Sequence, residues 1–454
     1  MTAIKATPTD GLCYSPSKDL YWDEAALRKE IDRVFDICHG CRLCFNLCPS
    51  FPSLFNALDA QEEGEPDVRK LSDAVRDEVV DGCFQCKLCY VKCPYTPDDG
   101  HEFQLDFPRL MLRYTAQQAK RNGVSLRDKF LGNPMTLGKL SSKAAPIVNA
   151  MNKARAHRAL MEKTLGIHRD KLLPDFASQP FEKWLKKRAS KSGPAGRPAT
   201  REAVLFHTCY VNYNAPEIGK DAVEVLERSG VRVLSPTQTC CGMPALDGGD
   251  IDFAKKQARQ NVETLKRYVE RGLPVLAVNP TCSYMLKKEY VDIVGDDMVE
   301  DAKKLAAATR DLGEYLFELK REGVLNTDFK SSPGEIAYHI PCHLKAQNIG
   351  FRSRDAMKAI PGVKVRLVDR CCGHDGTWAM KKEHFEESMK IGKPAFDEMK
   401  EGGQMATDCP LAAVQVEQAT GERPLHPVQI LARAYRENGF APLTPEEKKE
   451  EGES

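Results

Sequence analysis

Cys38-His-Gly-Cys41-Arg-Leu-Cys44-Phe-Asn-Leu-Cys48-Pro49 decides the reading of this chain, because Cys83-Phe-Gln-Cys86-Lys-Leu-Cys89-Tyr-Val-Lys-Cys93-Pro94 repeats its pattern 45 residues later. Each stretch reads C-x2-C-x2-C-x3-C-P, the run that feeds two [4Fe-4S] clusters, with the fourth cysteine of each run serving the other cluster. Cys38, Cys41, Cys44 and Cys93 are therefore expected on one cluster, and Cys83, Cys86, Cys89 and Cys48 on the other. Three thiolates on one tight loop cap three corners of a cube, so the fourth must arrive from elsewhere. The proline after it turns the chain away. A zinc ribbon or a disulfide pair fits four close cysteines, twice in one register, less well.

Working outward, helical spacing precedes each run: Leu27, Ile31, Val34 and Phe35 before the first, and Leu71 to Val80 before the second. That predicts an all-helical ferredoxin module over residues 19–185, preceded by an extended Pro/Ser/Thr-rich arm, 1–18, in which Cys13 is a bystander thiol. Between Thr136 and Lys163, a helical stretch broken at Pro146 carries Lys139, Lys143, Lys153, Arg155, Arg158 and Lys163 against one acid, Glu162. Ile147, Met151, Ala154, Met161 and Leu165 fall on one side. Such a face suits an anionic membrane or a partner; because Arg158 interrupts the stripe, the reading preferred is a solvated helix packed on the ferredoxin module. Residues 186–202 have linker composition, and 441–454 form a charged tail expected to be disordered.

Beyond the linker, β-branched runs alternate with helical ones: Ala203-Val-Leu-Phe, then Glu217 to Ser229, Val231-Arg-Val-Leu, Phe253 to Arg271, and Pro274-Val-Leu-Ala-Val. This is βαβαβ, hence a helix-covered parallel sheet. The order recurs from Ile336-Ala-Tyr-His-Ile onward, predicting two repeated α/β domains, 203–330 and 331–440. Their cysteines keep the same register. Cys209, Cys240, Cys241 and Cys282 follow the strands of the first copy with steps of 31, 1 and 41 residues; Cys342, Cys371, Cys372 and Cys409 follow those of the second with steps of 29, 1 and 37. Loops at the carboxyl ends of parallel strands open on one edge of the sheet, so four thiols converge in each copy. Four thiolates also satisfy zinc, which stays open as an alternative to iron there. His207, His339, His343 and His374 lie beside these cysteines, and His343 and His374 are the candidates for proton delivery or iron ligation. Asp375 is a candidate relay partner or a solvated loop residue.

Composition narrows the classes. With 66 basic against 65 acidic residues nothing global points to nucleic acid. Seventeen clustered cysteines, no secretory leader pattern and no apolar run of the roughly eighteen residues that span a bilayer predict a reducing, cytoplasmic setting, with any membrane contact peripheral on the inner face. Neither G-x-G-x-x-G nor G-x4-G-K-[ST] occurs where a nucleotide would sit.

Thr239-Cys-Cys-Gly242, His339-Ile-Pro-Cys-His343, Arg370-Cys-Cys-Gly-His-Asp-Gly-Thr-Trp378 and Thr407-Asp-Cys-Pro410, together with the two ferredoxin runs, resemble the CCG-domain iron-sulfur oxidoreductases. These include the catalytic part of heterodisulfide reductase, the third subunit of anaerobic glycerol-3-phosphate dehydrogenase and the iron-sulfur subunits of glycolate and lactate oxidation. The chain looks most like members associated with rubrerythrin, and the match spans about residues 20 to 435. The resemblance implies electron relay through two [4Fe-4S] clusters to further iron-sulfur groups at the CCG sites. From there electrons would pass to a quinone, a thiol or disulfide, or a protein such as a rubrerythrin-like acceptor, a flavoprotein being the donor. The family pattern ends in C-x2-C. Here Cys282 lacks its companion, Asn279 or Met285 standing there according to register, and Cys409 is followed by Ala412, which favours an ordinary cube over a five-ligand cluster and weakens the case for a self-contained disulfide reductase. A partner-binding scaffold with zinc in the CCG sites is the alternative of another class.

Overall fold

In the computed structural model, residues 4–8, 11–62, 64–189, 199–374 and 376–443 are described. Residues 190–198 of the expected linker, 444–454 of the expected tail, and Asp375 lie outside them.

The first ferredoxin run grows out of a helix. Asp23 caps Glu24–Cys41 by accepting from the Ala26 N–H at 2.7 Å, and Leu27, Ile31, Val34 and Phe35 bury one face. The helix ends where Arg42 turns left-handed (φ 53°), so Cys38 and Cys41 ride its last turn and Cys44 follows on the loop. In the second run Gln85 (φ 53°) and Lys87 (φ 64°) curl the backbone before the short helix Leu88–Lys92 presents Cys89. Phe51, Leu54 and Phe55 of helix Ser50–Asp59, with Leu110 and Met111 of helix Phe107–Asn122, complete a core against which Cys38, Cys44, Cys48, Cys83 and Cys93 pack.

The duplicated half is two parallel sheets, as the strand spacing predicts. In the first copy β1 (Arg201–Phe206), β2 (Val231–Leu234), β3 (Val275–Ala277) and β4 (Thr309–Asp311) are ordered β2-β1-β3-β4, all parallel. A minor strand β5 (Ser331–Ser332) then pairs with the terminal β9 (Ala441–Pro442). In the second copy β6 (Glu335–His339), β7 (Lys364–Val368) and β8 (Gln404–Thr407) are ordered β7-β6-β8, again parallel. The first strand of each copy lies between the second and the third, so the strand order reverses across it and a crevice opens at the strand ends. Every cysteine of the repeat follows such an end. The copies are not separate beads: Leu205, Val223, Leu226 and Leu276 of the first share one apolar core with Ile336, Tyr338 and Ile430 of the second.

The basic stretch departs from expectation. It forms Pro134–Ser141, a 3-10 turn at Ser142–Ala144, Ala145–Lys153 and Arg155–Leu165. The first break precedes Pro146, which sits in the opening turn of the next helix where its missing N–H costs nothing. Nor does this stretch pack on the ferredoxin module: Pro134–Ser141 lies against Cys209–Tyr213 of the first copy, and Ile167 bridges to Lys381 of the second. Ile147 is 66% exposed and Met151 46%, so the stripe faces outward. Arg158 is instead buried, its guanidinium donating to the carbonyls of His168, Arg169 and Lys171.

Candidate metal centres

The expected first set is brought together as predicted: Cys38, Cys41, Cys44 and Cys93 line one pocket with Phe51, Phe55 and Tyr95. Burial and then repulsion from Cys93 push the Cys44 thiol up to about 12, and Cys38 is raised by burial and by Cys44, Cys93 and Cys41. The second set shows the same crowding. Cys89 is raised by burial and by Cys86, Cys83 and Cys48, and Cys48 is pushed to about 11. Thiols that penalise one another's ionisation this strongly suit a cationic iron core, which deprotonates the sulfurs it binds.

In the first CCG copy the sulfurs form a chain. Cys209 donates to Cys240 at 3.8 Å, and the neighbouring Cys240 and Cys282 both raise the Cys241 thiol. Bonds from Cys209 and Cys241 lower Cys240, while Cys209 and Cys241 are raised by that same contact and by burial. In the second copy the turn Cys371-Cys372-Gly373-His374 wraps its own sulfurs: Gly373 N–H reaches Cys371 Sγ at 3.3 Å and the His374 N–H bonds Cys372. Gly373 is required, since its φ is +66° and a Cβ would lie 1.9 Å from the Ser388 carbonyl. Burial, then two neighbouring N–H groups, then Asp408 and Cys282 act on Cys409, leaving it at about 11; its sulfur thus feels the first copy's Cys282. Among the described residues no three His, Cys, Asp or Glu side chains converge tightly enough to chelate a single ion.

The centres are adjacent. Cys48 and Cys86 of the ferredoxin module pack with Cys342 and Cys371 around Phe84 and Trp378. Trp378 stacks on His384 at 4.4 Å, meets Phe84 at 5.0 Å, and donates its Nε1–H to the Asp81 carbonyl at 2.8 Å.

The histidines divide by role. His343 is buried with both nitrogens engaged: because a carbonyl only accepts, Nε2–H donates to Gln85 O (3.0 Å) and Nδ1 accepts from the Thr281 hydroxyl (2.9 Å). Its ring stacks on Tyr284, and burial pulls its pKa down to about 4. It therefore ties the second ferredoxin run to both CCG copies. His207 and His339 bond Ser235 and Thr407 and are likewise lowered by burial, to about 3 and about 4. His374 is buried, and neither of its ring nitrogens has a partner among the described residues.

Three contributions escape the sequence. Lys87, between Cys86 and Cys89, is buried and bonds Gln85 Oε1 at 2.7 Å beside Glu289 at 3.4 Å, docking the run on the first copy. Arg109 extends that network to Asp292 at 2.8 Å. Lys171, from the loop after the basic helices, is buried with its ammonium on Gln415, and it acts on Cys372 across the second site. Only Lys87 had a local signal, its place inside a cysteine run.

Residues 34–104 match the 4Fe-4S dicluster domain, and residues 203–287 and 336–416 match the CCG cysteine-rich domain. The chain is 33% identical over 412 residues to the third (C) component of anaerobic glycerol-3-phosphate dehydrogenase of Escherichia coli K12, covering 89% of this chain and 99% of that one. Lactate utilization protein A of Geobacillus thermodenitrificans is 32% identical over 213 residues, 45% of this chain and 86% of that one. The same protein of Geobacillus kaustophilus is 35% identical over 199 residues, 41% and 80%. Among the described residues no helix is long and apolar enough to cross a membrane.

Proposed function

Since the chain belongs to the CCG-domain family that includes the third component of anaerobic glycerol-3-phosphate dehydrogenase, we propose that this iron-sulfur electron-transfer oxidoreductase subunit carries four groups in a fixed order. Electrons enter at the cluster of Cys38, Cys41, Cys44 and Cys93 and pass to that of Cys48, Cys83, Cys86 and Cys89. They continue to the second CCG site and reach the first through Cys409 and Cys282. The packing of Cys48 and Cys86 against Cys342 and Cys371 carries this reading, because it sets the inner ferredoxin cluster against one CCG site. The clusters supply one-electron chemistry when bound. The protein's share is to position them, to exclude water with Phe84 and Trp378, and to hold Lys171 beside the anionic second site.

The donor is another subunit of a dehydrogenase, as the relative's name suggests, and by the family resemblance a flavoprotein; the acceptor is a quinone, a thiol or disulfide compound, or a protein. Leu140, Ile147, Met151 and Leu160, exposed among Lys139, Lys143, Arg155 and Lys163, support peripheral contact with an anionic membrane on its cytoplasmic side. Metal and sulfide analysis after anaerobic purification tests the core of the proposal. Four cubes give up to about sixteen irons per chain, whereas about eight irons with zinc would make the CCG half a scaffold.

A further inference from the structure

A cavity opens on the seam between the two CCG copies, and the four metal centres leave it unexplained. It encloses about 510 Å³, the size of a small-molecule site, and its walls include Tyr210, Ile218, Thr407, Pro410, Leu425 and Arg433. Its place follows from the chain. Tyr210 is the residue after Cys209, and Thr407 and Pro410 flank Cys409, whose N–H donates to the Thr407 hydroxyl at 3.4 Å. The cavity therefore borders a cysteine-bearing loop of each copy. Most of its walls are apolar, and Arg433 enters it with no ion pair among the described residues, so a guanidinium is left to donate to a ligand oxygen. Ala177, at the edge, belongs to a segment held on the inner side of helix Ala145–Lys153: the Phe176 N–H donates to Asn149 Oδ1 at 2.8 Å, Asn149 Nδ2 donates back to the Phe176 carbonyl at 3.0 Å, and Lys153 pairs with Asp175 at 2.8 Å. Two residues along a helix turn through about 200°, so Ile147 and Met151, on either side of Asn149, face the opposite way, into the exposed stripe. One helix thus holds the edge of the cavity on one face and offers an apolar surface on the other. A soluble disulfide needs no apolar face at its door, and a protein acceptor needs no cavity.

Resting on the reading of the CCG sites as the delivering end of the chain, we propose that this cavity seats the ring of a lipid-borne quinone, beside both copies at once. Two electrons, one from the group of each copy, and two protons from solvent convert the two ring carbonyls to hydroxyls, giving the hydroquinone; the two groups are left oxidised by one electron each and are refilled from the ferredoxin clusters. Arg433 donates to a ring oxygen, and Tyr210, Ile218 and Leu425 are the apolar contacts. The duplication then has a use, because two one-electron groups flank one two-electron acceptor.

The test uses the full chain, loaded and kept anaerobic. An azido-substituted short-chain naphthoquinone, crosslinked by light, is expected to label peptides spanning residues 210–218 and 407–433, and an excess of the unsubstituted quinone to abolish that label. Ala215→Trp, at the half-buried edge of the cavity, should keep the iron, weaken the labelling and slow reoxidation of the reduced chain by the short-chain quinone by at least about tenfold, whereas Ala215→Ser should match the parent. Ile147→Glu with Met151→Glu, on the outward face, should slow reoxidation by a long-chain quinone held in liposomes of anionic lipid more than by the short-chain one. Label confined to other peptides, label that excess quinone does not remove, or an Ala215→Trp chain with full iron and unchanged reoxidation by quinone overturns the proposal. An equal effect of the helix pair on both quinones overturns delivery from lipid. Metal analysis keeps the two readings apart: if the CCG sites hold no iron, the electron-transfer reading falls and the reduction step with it, while the labelling alone decides the ring site.

Discussion

Replacing His343 with alanine should loosen the joint between the ferredoxin module and the repeat, and the structure sets the size of the effect. The imidazole donates to the buried Gln85 carbonyl, accepts from Thr281 and stacks on Tyr284 at a centroid distance of 5.4 Å. Orphaning the carbonyl costs about 1–3 kcal/mol, the half-buried hydroxyl about 0.5–1 because water reaches it, and the stack about 0.5–1.5. The sum, about 2–5.5 kcal/mol, is large beside the roughly 5–15 kcal/mol by which domains are stable. A chain with several cofactors does not unfold in two states, so a global melting temperature is the wrong readout. Hydrogen exchange in the loaded protein is the right one. At about 1.4 kcal/mol per decade, opening of the Gln85–Leu88 loop should become roughly 30- to 8000-fold more frequent, with matching loss of protection around Thr281 to Met285. His343→Gln keeps a donor within reach of Gln85 and should recover about half of the effect in kcal/mol. Unchanged exchange at residues 85–88 in His343→Ala, or an increase confined to residues 343–345, would refute the reasoning.

Three further outcomes follow from the same contacts. Gly373→Ala places a Cβ 1.9 Å from the Ser388 carbonyl at φ +66°, so iron should fall by one CCG group while the ferredoxin clusters, read by their spectra, remain. The carboxyls of Asp311 and Asp408 are buried at the seam between the copies, and burial and then the Asp408 charge raise Asp311. A raised acid stabilises the fold while protonated and loses that contribution as pH rises from the ordinary carboxylate range to about 7, so stability should decline up to about pH 7 and level off above it; Asp311→Asn should flatten that slope in denaturation measured from about pH 5 to 9. Cys13 packs at the edge of the first copy's core with its thiol on the Ser15 carbonyl, and Cys13→Ser should leave the iron content unchanged by metal analysis.

Legibility in the sequence followed the range of the interaction. The ferredoxin cysteines crowd into two short runs, and the pocket around Cys38, Cys41, Cys44 and Cys93 matches the expected exchange of the fourth cysteine. The CCG sulfurs were legible because a repeated strand register fixes which loops share a sheet edge. What joins the modules was not: Lys87 with Glu289, Trp378 with Asp81, and Lys171 with Gln415 pair residues about 200 or more positions apart, and no periodicity announces a partner. Arg158 misled for a physical reason. An arginine on an apolar stripe reads as an interruption, yet here it is the most enclosed residue of its helix because three backbone carbonyls of the following loop accept from it. The residues around it then need not be a packing face, and Ile147 and Met151 turn outward.

Duplication made two equal sets of four thiols, and what docks on each made them unequal. The first copy's Cys240, Cys241 and Cys282 are buried in one core with Tyr21, Leu112 and Ala116 of the ferredoxin module, and Cys282 acts on Cys409 of the second copy. The second copy is divided, Cys342 and Cys371 facing the ferredoxin module while Cys409 faces the first copy. In the proposed order the second is fed from the ferredoxin module and the first is reached through it. Trp378→Ala, which loosens the packing of Cys48 and Cys86 against Cys342 and Cys371 without removing a sulfur, tests this order: reduction of the second-site signal and of the first-copy signal should both slow with the ferredoxin clusters still fully reduced. A first-copy signal reduced as fast as before would mean that the first copy has its own entry, and the linear order would be wrong.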